Sequence, residues 1–455
     1  QVVSRAMPLL YANKLAAEER LDLDTNIDER LRGAIDRVLS RQDSSGSFGL
    51  WGPTGGDHVW LDAYVADFLT RARERGISVP QKAFDLTLDR LRNHVANTSD
   101  PTAKDAPDLA YAIYVLARNG RPVMGDLRYL ADQKLDLFST PLARAQLAAG
   151  LSLLGDRGRA APVFQAALTR IEATKAERTW REDYGSPLRD AAGTVALMAE
   201  SGRPAAETAA AGLAVEAARN ARPHASTQEQ AWMVVAAAAL AKEAERLKIT
   251  VSQGDTSEDK TGAYYRTYRA DRLEGRPVTV RVDPSVERRA AVVVTTSGHP
   301  IVQEPAASNG YTVERFFYKA DGSKADMTKV RQTDRLVVVL RVTEPKAQEA
   351  RIVLTDRLPA GFEIADPKLL AGADVPAFEW LKDTVEPATA DYRDDRFVAA
   401  FDRSADQDAV FEVAYGVRVV TPGRYVLPPA VVEDMYRPER FGRTAFGTVD
   451  IAPAK

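Results

Sequence analysis

Apolar side chains recur at helical spacing through the first half of the chain. Between residues 57 and 76 they fall three or four positions apart, which predicts an amphipathic helix that stops at Gly76. The same pattern predicts helices at 27–41, 57–76, 81–96, 108–119, 141–154, 160–173, 188–200 and 227–246. Short breaks rich in Gly and Pro separate them, so consecutive helix pairs of similar length predict a closed α/α toroid or an α-solenoid.

The pattern changes near residue 248 to short, β-branched runs. These predict strands at 278–282, 290–296, 336–342, 350–358, 396–403, 410–421 and 423–427. Turn residues such as Pro359 and Gly361 separate the strands, and no helical pattern intervenes. The expected fold is an all-α toroid followed by all-β domains of the β-sandwich kind.

Composition narrows the possible functions. A chain of 455 residues, 45% of them hydrophobic, holds about two to four domains. Its 61 basic and 64 acidic residues leave a net charge of −3, without the basic stripe of a nucleic-acid-binding protein. The sequence contains no uninterrupted apolar run of about 20 residues, so no membrane span is predicted. The chain begins with Gln rather than Met, which we interpret as a piece of a longer protein.

Catalytic and metal-binding motifs are sparse. The chain has no cysteine, and its four histidines lack the spacing of metal ligands. Neither a nucleophile elbow, a phosphate-binding loop nor a dinucleotide fingerprint occurs. We therefore predict no metal, no cofactor and no enzymatic activity.

One local motif leaves an enzymatic alternative open. Residues 42–51, Gln-Asp-Ser-Ser-Gly-Ser-Phe-Gly-Leu-Trp, resemble the Gln-Trp repeat of terpene cyclases, which are also α/α toroids. The glycines permit a tight turn, and Phe48 and Trp51 can plug the space between helices. The Asp-x-Asp-Asp acid motif of class II cyclases and the zinc ligands of prenyltransferases are both missing. A toroid enzyme of the terpene cyclase type is thus a remote alternative, and a structural plug is preferred.

Several motifs, in order along the chain, resemble one family. Residues 1–11, beginning with Gln1, are similar to the start of a thioester domain, where Cys-Leu-Glu comes directly before the glutamine. Residues 59–65 resemble the Trp-Leu-Thr-Ala-Tyr/Phe-Val signature, with Asp62 in place of Thr. Further similar segments lie at 46–51, 183–190, 226–229, 358–363, 393–400 and 420–425. Together they resemble the bacterial α2-macroglobulins over essentially the whole chain.

This resemblance implies both a domain order and a function. The order is a helical thioester domain at 1–248, the remaining part of a CUB-like β domain at 249–303, and a C-terminal macroglobulin-like β-sandwich at 304–455. The implied function is a broad-spectrum protease inhibitor that traps its target after the protease cuts a bait region. A Cys–Gln thioester, formed by Gln1 and a cysteine outside these residues, would then attach the protease covalently.

The resemblance also suggests which side chains protect the thioester. A thioester needs a dry, aromatic-rich pocket until it is triggered, and Met7, Tyr11, Trp60 and Tyr64 are the candidate walls. Residues 433–438 are the candidate lid loop, because Met435 and Tyr436 are awkward to leave exposed. Ordinary core packing is the competing interpretation for each of these residues.

Other implications concern partners and location. Proteases are the expected partners, and attack by protease amines is favoured because residues 106–114, where some thioester proteins carry a catalytic histidine, contain none. The resemblance implies a periplasmic protein anchored to the inner membrane by an N-terminal lipid, working beside a peptidoglycan-synthesising penicillin-binding protein. A homologue without a thioester, acting as a non-covalent trap or an envelope scaffold, is the main alternative.

Overall fold

The computed structural model describes two compact units. Its description omits residues 13–25, 174–179, 222–223, 245–247, 263, 265, 274, 284–293, 295, 297, 299–300, 366–379, 382–383 and 455. The first unit comprises residues 1–222 and 227–295, and the second comprises 223–226 and 296–455. Helices and one small sheet form the first unit, whereas strands form the second.

Eleven α-helices of the first unit lie entirely within the described residues. They are α1 (Val2–Ala6), α2 (Ile27–Leu39), α3 (Val59–Glu74), α4 (Gln81–Asn97), α5 (Ala106–Arg118), α6 (Met124–Gln133), α7 (Pro141–Leu153), α8 (Arg157–Ala173), α9 (Pro187–Glu200), α10 (Ala205–Asn220) and α11 (Thr227–Ala244). Helices α3, α5, α7 and α9 bury side chains on almost every side, whereas α2 and α4 bury a single stripe. A helix buried on all sides belongs inside a larger assembly of helices.

The odd-numbered helices close into a ring. Each contacts the next, from α3 through α5, α7 and α9 to α11, and α1 contacts both α11 and α3. The even-numbered helices pack against this ring, as α4 does against α3 and α5, and α8 against α7 and α9. The prediction of a closed α/α toroid is therefore confirmed.

Local signals define where the ring helices begin and end. Thr140 and Ser186 cap α7 and α9 by accepting backbone N–H bonds, and a proline follows each cap. Gly120 and Gly202 adopt φ of +67° and +68° just beyond α5 and α9. Their left-handed backbone lets the chain satisfy the last helical carbonyls and turn back sharply.

A small sheet follows the last helix. It contains β1 (Lys248–Gln253), β2 (Thr256–Thr261) and β3 (Val278–Val282), in the antiparallel order β2-β1-β3. Val282 lies opposite Ile249 and Val280 opposite Val251, so the apolar residues share one face. The predicted change from helix to strand near residue 248 is confirmed.

The second unit is a β-sandwich. Its strands are β4 (Ala307–Asn309), β5 (Thr312–Lys319), β6 (Arg335–Thr343), β7 (Ala350–Arg357), β8 (Phe362–Ala365), β9 (Thr389–Arg393), β10 (Arg396–Arg403), β11 (Val410–Val419), β12 (Gly423–Leu427), β13 (Ala430–Asp434), β14 (Phe441–Arg443) and β15 (Gly447–Ile451). They form sheets β4-β14-β13-β7-β10-β9, β5-β6-β11-β8 and β12-β15. Leu340 of β6, Leu354 of β7 and Val413 of β11 share one buried core, because alternate residues of the two larger sheets face inward.

Not every predicted element matches the structure. The apolar pattern does not predict helices α1, α6 and α10, and the alanine-rich α10 lacks a stripe of large apolar residues. The predicted strand at 290–296 lies almost entirely outside the described residues. The fold class, an all-α toroid followed by all-β structure, is confirmed, and the three-domain division at 248 and 303 stays a prediction.

Candidate functional site

Gln1 directly precedes the first helix of the ring. Its side chain is exposed, and its carbonyl oxygen accepts a hydrogen bond from the Arg5 amide at 3.0 Å. Val3, Ala6 and Met7 turn inward and are buried. The helix is thus fixed by its apolar face, while Gln1 remains at its exposed end.

Two hydrogen bonds define how the Gln1 segment lies along α3. The Tyr64 hydroxyl donates to Ser4 Oγ at 3.1 Å, and Arg71 Nη1 donates to the Tyr11 hydroxyl at 2.7 Å. Both pairs are separated by 60 positions, so the two segments run in the same direction and advance in step. Gln1 lies one helical turn before Ser4, the residue that Tyr64 contacts.

A buried aromatic cluster occupies that end of the ring. The Trp60 ring lies 5.2 Å from Tyr64, 5.6 Å from Tyr111 and 5.8 Å from Tyr184, measured between centroids, with the last two edge-on. The Arg189 guanidinium lies 5.4 Å from the Trp60 centroid. All four aromatic side chains are buried. The arrangement is a closely packed, water-poor aromatic cluster.

An ionic clamp holds the loop that carries Tyr184. The Asp183 carboxylate accepts hydrogen bonds from both Arg181 and Arg189, the latter at 2.7 Å. Burial alone would raise the pKa of Asp183, but the two guanidinium groups hold this pKa well below its usual range. Tyr184 adopts φ of +52°, which is uncommon for a residue with a side chain. A Cβ at Gly185 would lie 2.1 Å from Arg189 Nη2, so the clamp also requires glycine there.

Beneath the aromatic cluster lies a buried polar network centred on Arg71. Its Nε donates to Asp67 at 2.9 Å and its Nη1 donates to Glu200 at 2.6 Å, in addition to the bond to Tyr11. The Tyr111 hydroxyl donates to the other Asp67 oxygen at 2.8 Å. Although burial opposes ionisation, two neighbouring guanidinium groups lower the pKa of Glu200 to about 2. The network ties the Gln1 segment to three helices of the ring.

Acidic side chains crowd the start of α5, on the same end of the ring. Burial raises the pKa of Asp108 to about 7, and the negative charges of Asp183, Glu182 and Asp105 act in the same direction. Asp108 is half-buried in the first turn of the helix. Its carboxyl group therefore changes protonation near neutral pH.

The loop that resembles a Gln-Trp repeat packs through Asp62. This fully buried carboxylate accepts hydrogen bonds from the Phe48 amide at 2.8 Å, from the Ser47 hydroxyl and from Arg90 Nε at 2.7 Å. Burial raises the pKa of Asp62, whereas the bonds from Arg90 and Phe48 oppose that shift. The predicted plug is confirmed for Phe48, but wrong for Trp51, which is 37% exposed. The loop turns away from the helices after Gly49, which leaves Trp51 outside.

Among the four predicted wall residues, the structure separates Trp60 and Tyr64 from Tyr11. Met7, Tyr11, Trp60 and Tyr64 are all buried. Trp60 and Tyr64 contact each other near Ser4, whereas Tyr11 lies about two turns further along α3, at Arg71. The predicted role of these residues as walls of a thioester pocket stays a prediction. The positions of Trp60 and Tyr64 are more compatible with that role than the position of Tyr11.

The lid loop joins β13 to β14 in the second unit. Met435 and Tyr436 are partly buried, and the Met435 amide donates to the Arg351 carbonyl at 2.8 Å. The Tyr436 amide donates to Asp434 Oδ1 at 3.0 Å. Both side chains thus project from a backbone that is hydrogen-bonded in place, and their role as a lid stays a prediction.

Sequence reasoning missed the residues that build the site rather than line it. Asp183 and Arg189 belong to a segment that resembles the family, and His58, whose ring stacks 5.3 Å from Tyr184, is one of the four histidines without metal-ligand spacing. Two arginines and two aspartates within 181–190 are the signal that could have indicated an ionic clamp.

Within the described ranges, no three His, Cys, Asp or Glu side chains are grouped as a metal site requires. No helix in that part of the chain combines the length and apolar character needed to cross a bilayer.

Comparisons with known proteins agree with this architecture. A family model for the bacterial α2-macroglobulin MG10 domain matches residues 310–439. The α2-macroglobulin of Escherichia coli is 30% identical over 96% of this chain, which spans 27% of that protein. A native E. coli α2-macroglobulin structure running from domain MG7 to the C-terminus superposes with a TM-score of 0.83 at 27% identity. The match covers 100% of this chain and 73% of that structure.

A second solved structure shows the same fold. Salmonella α2-macroglobulin reacted with methylamine superposes with a TM-score of 0.83 at 28% identity, covering 100% of this chain and 30% of that one. The helical ring followed by a β-sandwich is therefore an arrangement that the chain shares with macroglobulin proteins. The chain belongs to the bacterial α2-macroglobulin family. It spans about a quarter of the length of the curated relatives it matches.

Proposed function

We propose that this chain is the thioester-bearing part of a broad-spectrum protease trap. The observation that carries the proposal is the position of Gln1, exposed and one helical turn before Ser4, which accepts a hydrogen bond from the buried Tyr64. An acyl group held there would have one side against a water-poor aromatic wall and the other open to an incoming nucleophile. We infer that the protein acts as an inhibitor rather than as an enzyme.

The chemistry would proceed in two steps. A cysteine thiol encoded upstream attacks the Gln1 side-chain carboxamide carbon, and ammonia leaves as the thioester forms. After bait cleavage, a lysine amine of the trapped protease attacks the same carbon, loses a proton to solvent and expels the cysteine thiolate. The protease therefore ends attached to Gln1 through an amide bond.

Water must be excluded until the trap is triggered, because hydrolysis would waste the thioester. Trp60 and Tyr64 support this role by their burial beside Ser4, one helical turn from Gln1. We further propose that Met435 and Tyr436 shield the acyl group in the resting protein. Their large side chains suit an adaptable apolar cover.

Methylamine provides the decisive experiment on the full-length protein. We expect mass spectrometry to find methylamine attached to Gln1 and thiol titration to find one cysteine released. Gln1→Ala should abolish both, whereas Gln165→Ala, a matched change at an exposed glutamine of α8, should leave both unchanged.

The alternative function gives a different result in the same assay. A protein that forms no adduct and releases no thiol, yet still protects a bound protease from large substrates, is a non-covalent trap. Loss of protease binding as well would indicate an envelope scaffold. A full-length gene without a cysteine three positions before Gln1 would also refute covalent trapping.

Three further predictions belong to the intact protein. These are the three-domain division, the periplasmic lipoprotein location and the penicillin-binding protein partner. The small β1–β3 sheet, which begins at Lys248, lies in the same compact unit as the helical ring, so the proposed boundary at 248 rests on the change from helices to strands.

A further inference from the structure

A polar cleft lies within the first unit, at one end of the helical ring. It is formed where the last turns of α3 and α5 meet the first turn of α4, and its volume is about 460 Å³. Cavities that hold small ligands have volumes of about 300–1,000 Å³. Arg73 lines the polar cleft about 13 Å beyond Tyr64 along the axis of α3. The polar cleft is therefore separate from the aromatic cluster near Ser4.

Two of the charged groups that line the polar cleft neutralise each other. Arg118 donates from Nε and Nη2 to the two carboxylate oxygens of Glu74, at 2.8 and 2.7 Å. Its Nη1 donates to Glu200 at 2.9 Å and to the Tyr114 hydroxyl at 2.6 Å. A guanidinium with these partners has little capacity left for a ligand. The Glu74–Arg118 pair therefore acts as a fixed wall of the polar cleft.

Arg73 lines the same cleft without a carboxylate partner. Its guanidinium carbon lies 4.5 Å from the centre of the Phe84 ring, and it forms no ion pair with any residue that the structure describes. The Phe84 ring is buried, so it holds the guanidinium in one plane. Stacking of this kind leaves the N–H groups at the edge of the guanidinium free to donate. Arg73 is thus a positioned donor that lacks an acceptor.

Arg121 lines the cleft just beyond Gly120 and is only weakly paired. Its Nη2 lies 3.5 Å from Asp85 Oδ1, and the two side chains are 35% and 44% exposed. A contact of this length, open to water, contributes little. Asp85 is held by its own helix, because its Oδ2 accepts a hydrogen bond from Gln81 at 2.9 Å. Arg121 can therefore bind a different carboxylate without losing a strong interaction.

We propose that the polar cleft binds a carboxylate, held by the guanidinium groups of Arg73 and Arg121. Three arginines and two acidic side chains line the cleft, which leaves one positive charge to be balanced. One carboxylate supplies that charge and can accept two parallel bonds from a guanidinium. A phosphate dianion carries more charge than the cleft balances, and Glu74 and Asp85 would repel it. The carboxylate belongs either to an acidic side chain of a peptide or to a small free acid.

Fluorescence anisotropy of the full chain tests this assignment. The probe is a short, labelled, acetylated peptide of alternating glycine and glutamate, and its neutral counterpart has glutamine in place of glutamate. The glutamate peptide should bind at least about tenfold more tightly than the glutamine peptide. Arg73→Ala and Arg121→Ala should each weaken binding of the glutamate peptide by at least about threefold, as partly exposed charge pairs imply.

Matched variants separate a specific site from general attraction by positive charge. Arg75→Ala removes an exposed guanidinium that stacks 4.5 Å from the Tyr11 ring outside the cleft, and it should leave binding unchanged. Asp85→Asn removes the competing carboxylate and should tighten binding, whereas Asp89→Asn, which lies outside the cleft on α4, should not. Equal losses in Arg73→Ala and Arg75→Ala overturn the inference, as does equal binding of the two peptides.

Competition experiments identify the source of the carboxylate. If propionate displaces the labelled peptide as effectively as glutamate blocked at both ends, the site is specific for small free acids. If the unlabelled glutamate peptide displaces it far more effectively than propionate, the site recognises a peptide. None of these measurements involves the thioester. Failure here therefore leaves the proposed function intact, and a protein that does not react with methylamine leaves the carboxylate site intact.

Discussion

Replacing Arg71 by methionine tests whether the buried polar network stabilises the helical ring. Methionine is similar in length and apolar, so the change removes the charge and the donors while largely filling the space. Arg71 is 1% exposed and binds Asp67, which is fully buried. After the change, Asp67 keeps only the Tyr111 hydroxyl as a partner among those described above.

The expected loss of unfolding free energy depends on which hydrogen-bond partners Glu200 and Asp67 keep in the variant. Glu200 is 26% exposed and still accepts a bond from Arg118, so it contributes little to the loss. Asp67 is left as a buried, uncompensated charge, and breaking such a pair costs about 3–5 kcal/mol. Adding Asp67→Asn removes that charge and should recover at least about half of the loss.

Urea unfolding followed by tryptophan fluorescence is the assay. Trp380 is the one tryptophan of the second unit, and the other four lie in the first, so the signal reports mainly on the helical unit. Arg92→Met is the matched control, because Arg92 is 53% exposed in an i,i+3 pair with Asp89 and should matter by at most about 0.5 kcal/mol. A loss below about 1 kcal/mol for Arg71→Met, or a double variant no more stable than the single one, would refute the reasoning.

Two further predictions use the same unfolding assay. Because the pKa of Asp108 is raised to about 7 in the folded protein, its ionisation removes stability as pH rises from about 4 to 7, so Asp108→Asn should stabilise the protein at pH 8 and change little at pH 4. Asp105→Asn, where Thr102 hydrogen bonds lower the pKa, should instead destabilise at pH 8, and equal behaviour of the two variants would contradict the assignment. Gly46→Ala should cost about 1–3 kcal/mol, since Gly46 has φ of +88° and a Cβ there would lie 2.4 Å from the Leu86 carbonyl oxygen. Gly33→Ala, in an open position of α2, should be neutral or stabilising by comparison.

Periodicity predicts the ring helices α3, α5, α7, α9 and α11, because large apolar residues recur in them three or four positions apart. It failed at α10, whose alanines give no contrast between its faces. The change to β structure was visible because β-branched residues cluster after Lys248. The strand order was not predictable, since β7 pairs with β10 and β13, which are distant in sequence.

The site was predictable only where single residues carried the information. Trp60 and Tyr64 belong to one helical turn, so their contact follows from spacing alone. The partners of Arg71 are separated from it by up to 129 positions, and nothing local indicates that its charge is buried. The clamp around Tyr184 likewise depends on a left-handed backbone that its residue types do not favour.

The Asp62–Arg90 contact has an evolutionary consequence. Where relatives have threonine at this place in the signature, the carboxylate that holds Arg90 and the Phe48 amide is missing. A change from one residue to the other therefore leaves the exposed carboxylate of Asp57 as the remaining ion-pair partner described for Arg90, unless Arg90 changes as well. Positions 62 and 90 should therefore covary among relatives. Relatives with aspartate at position 62 should also have arginine at position 90, rather than either residue alone.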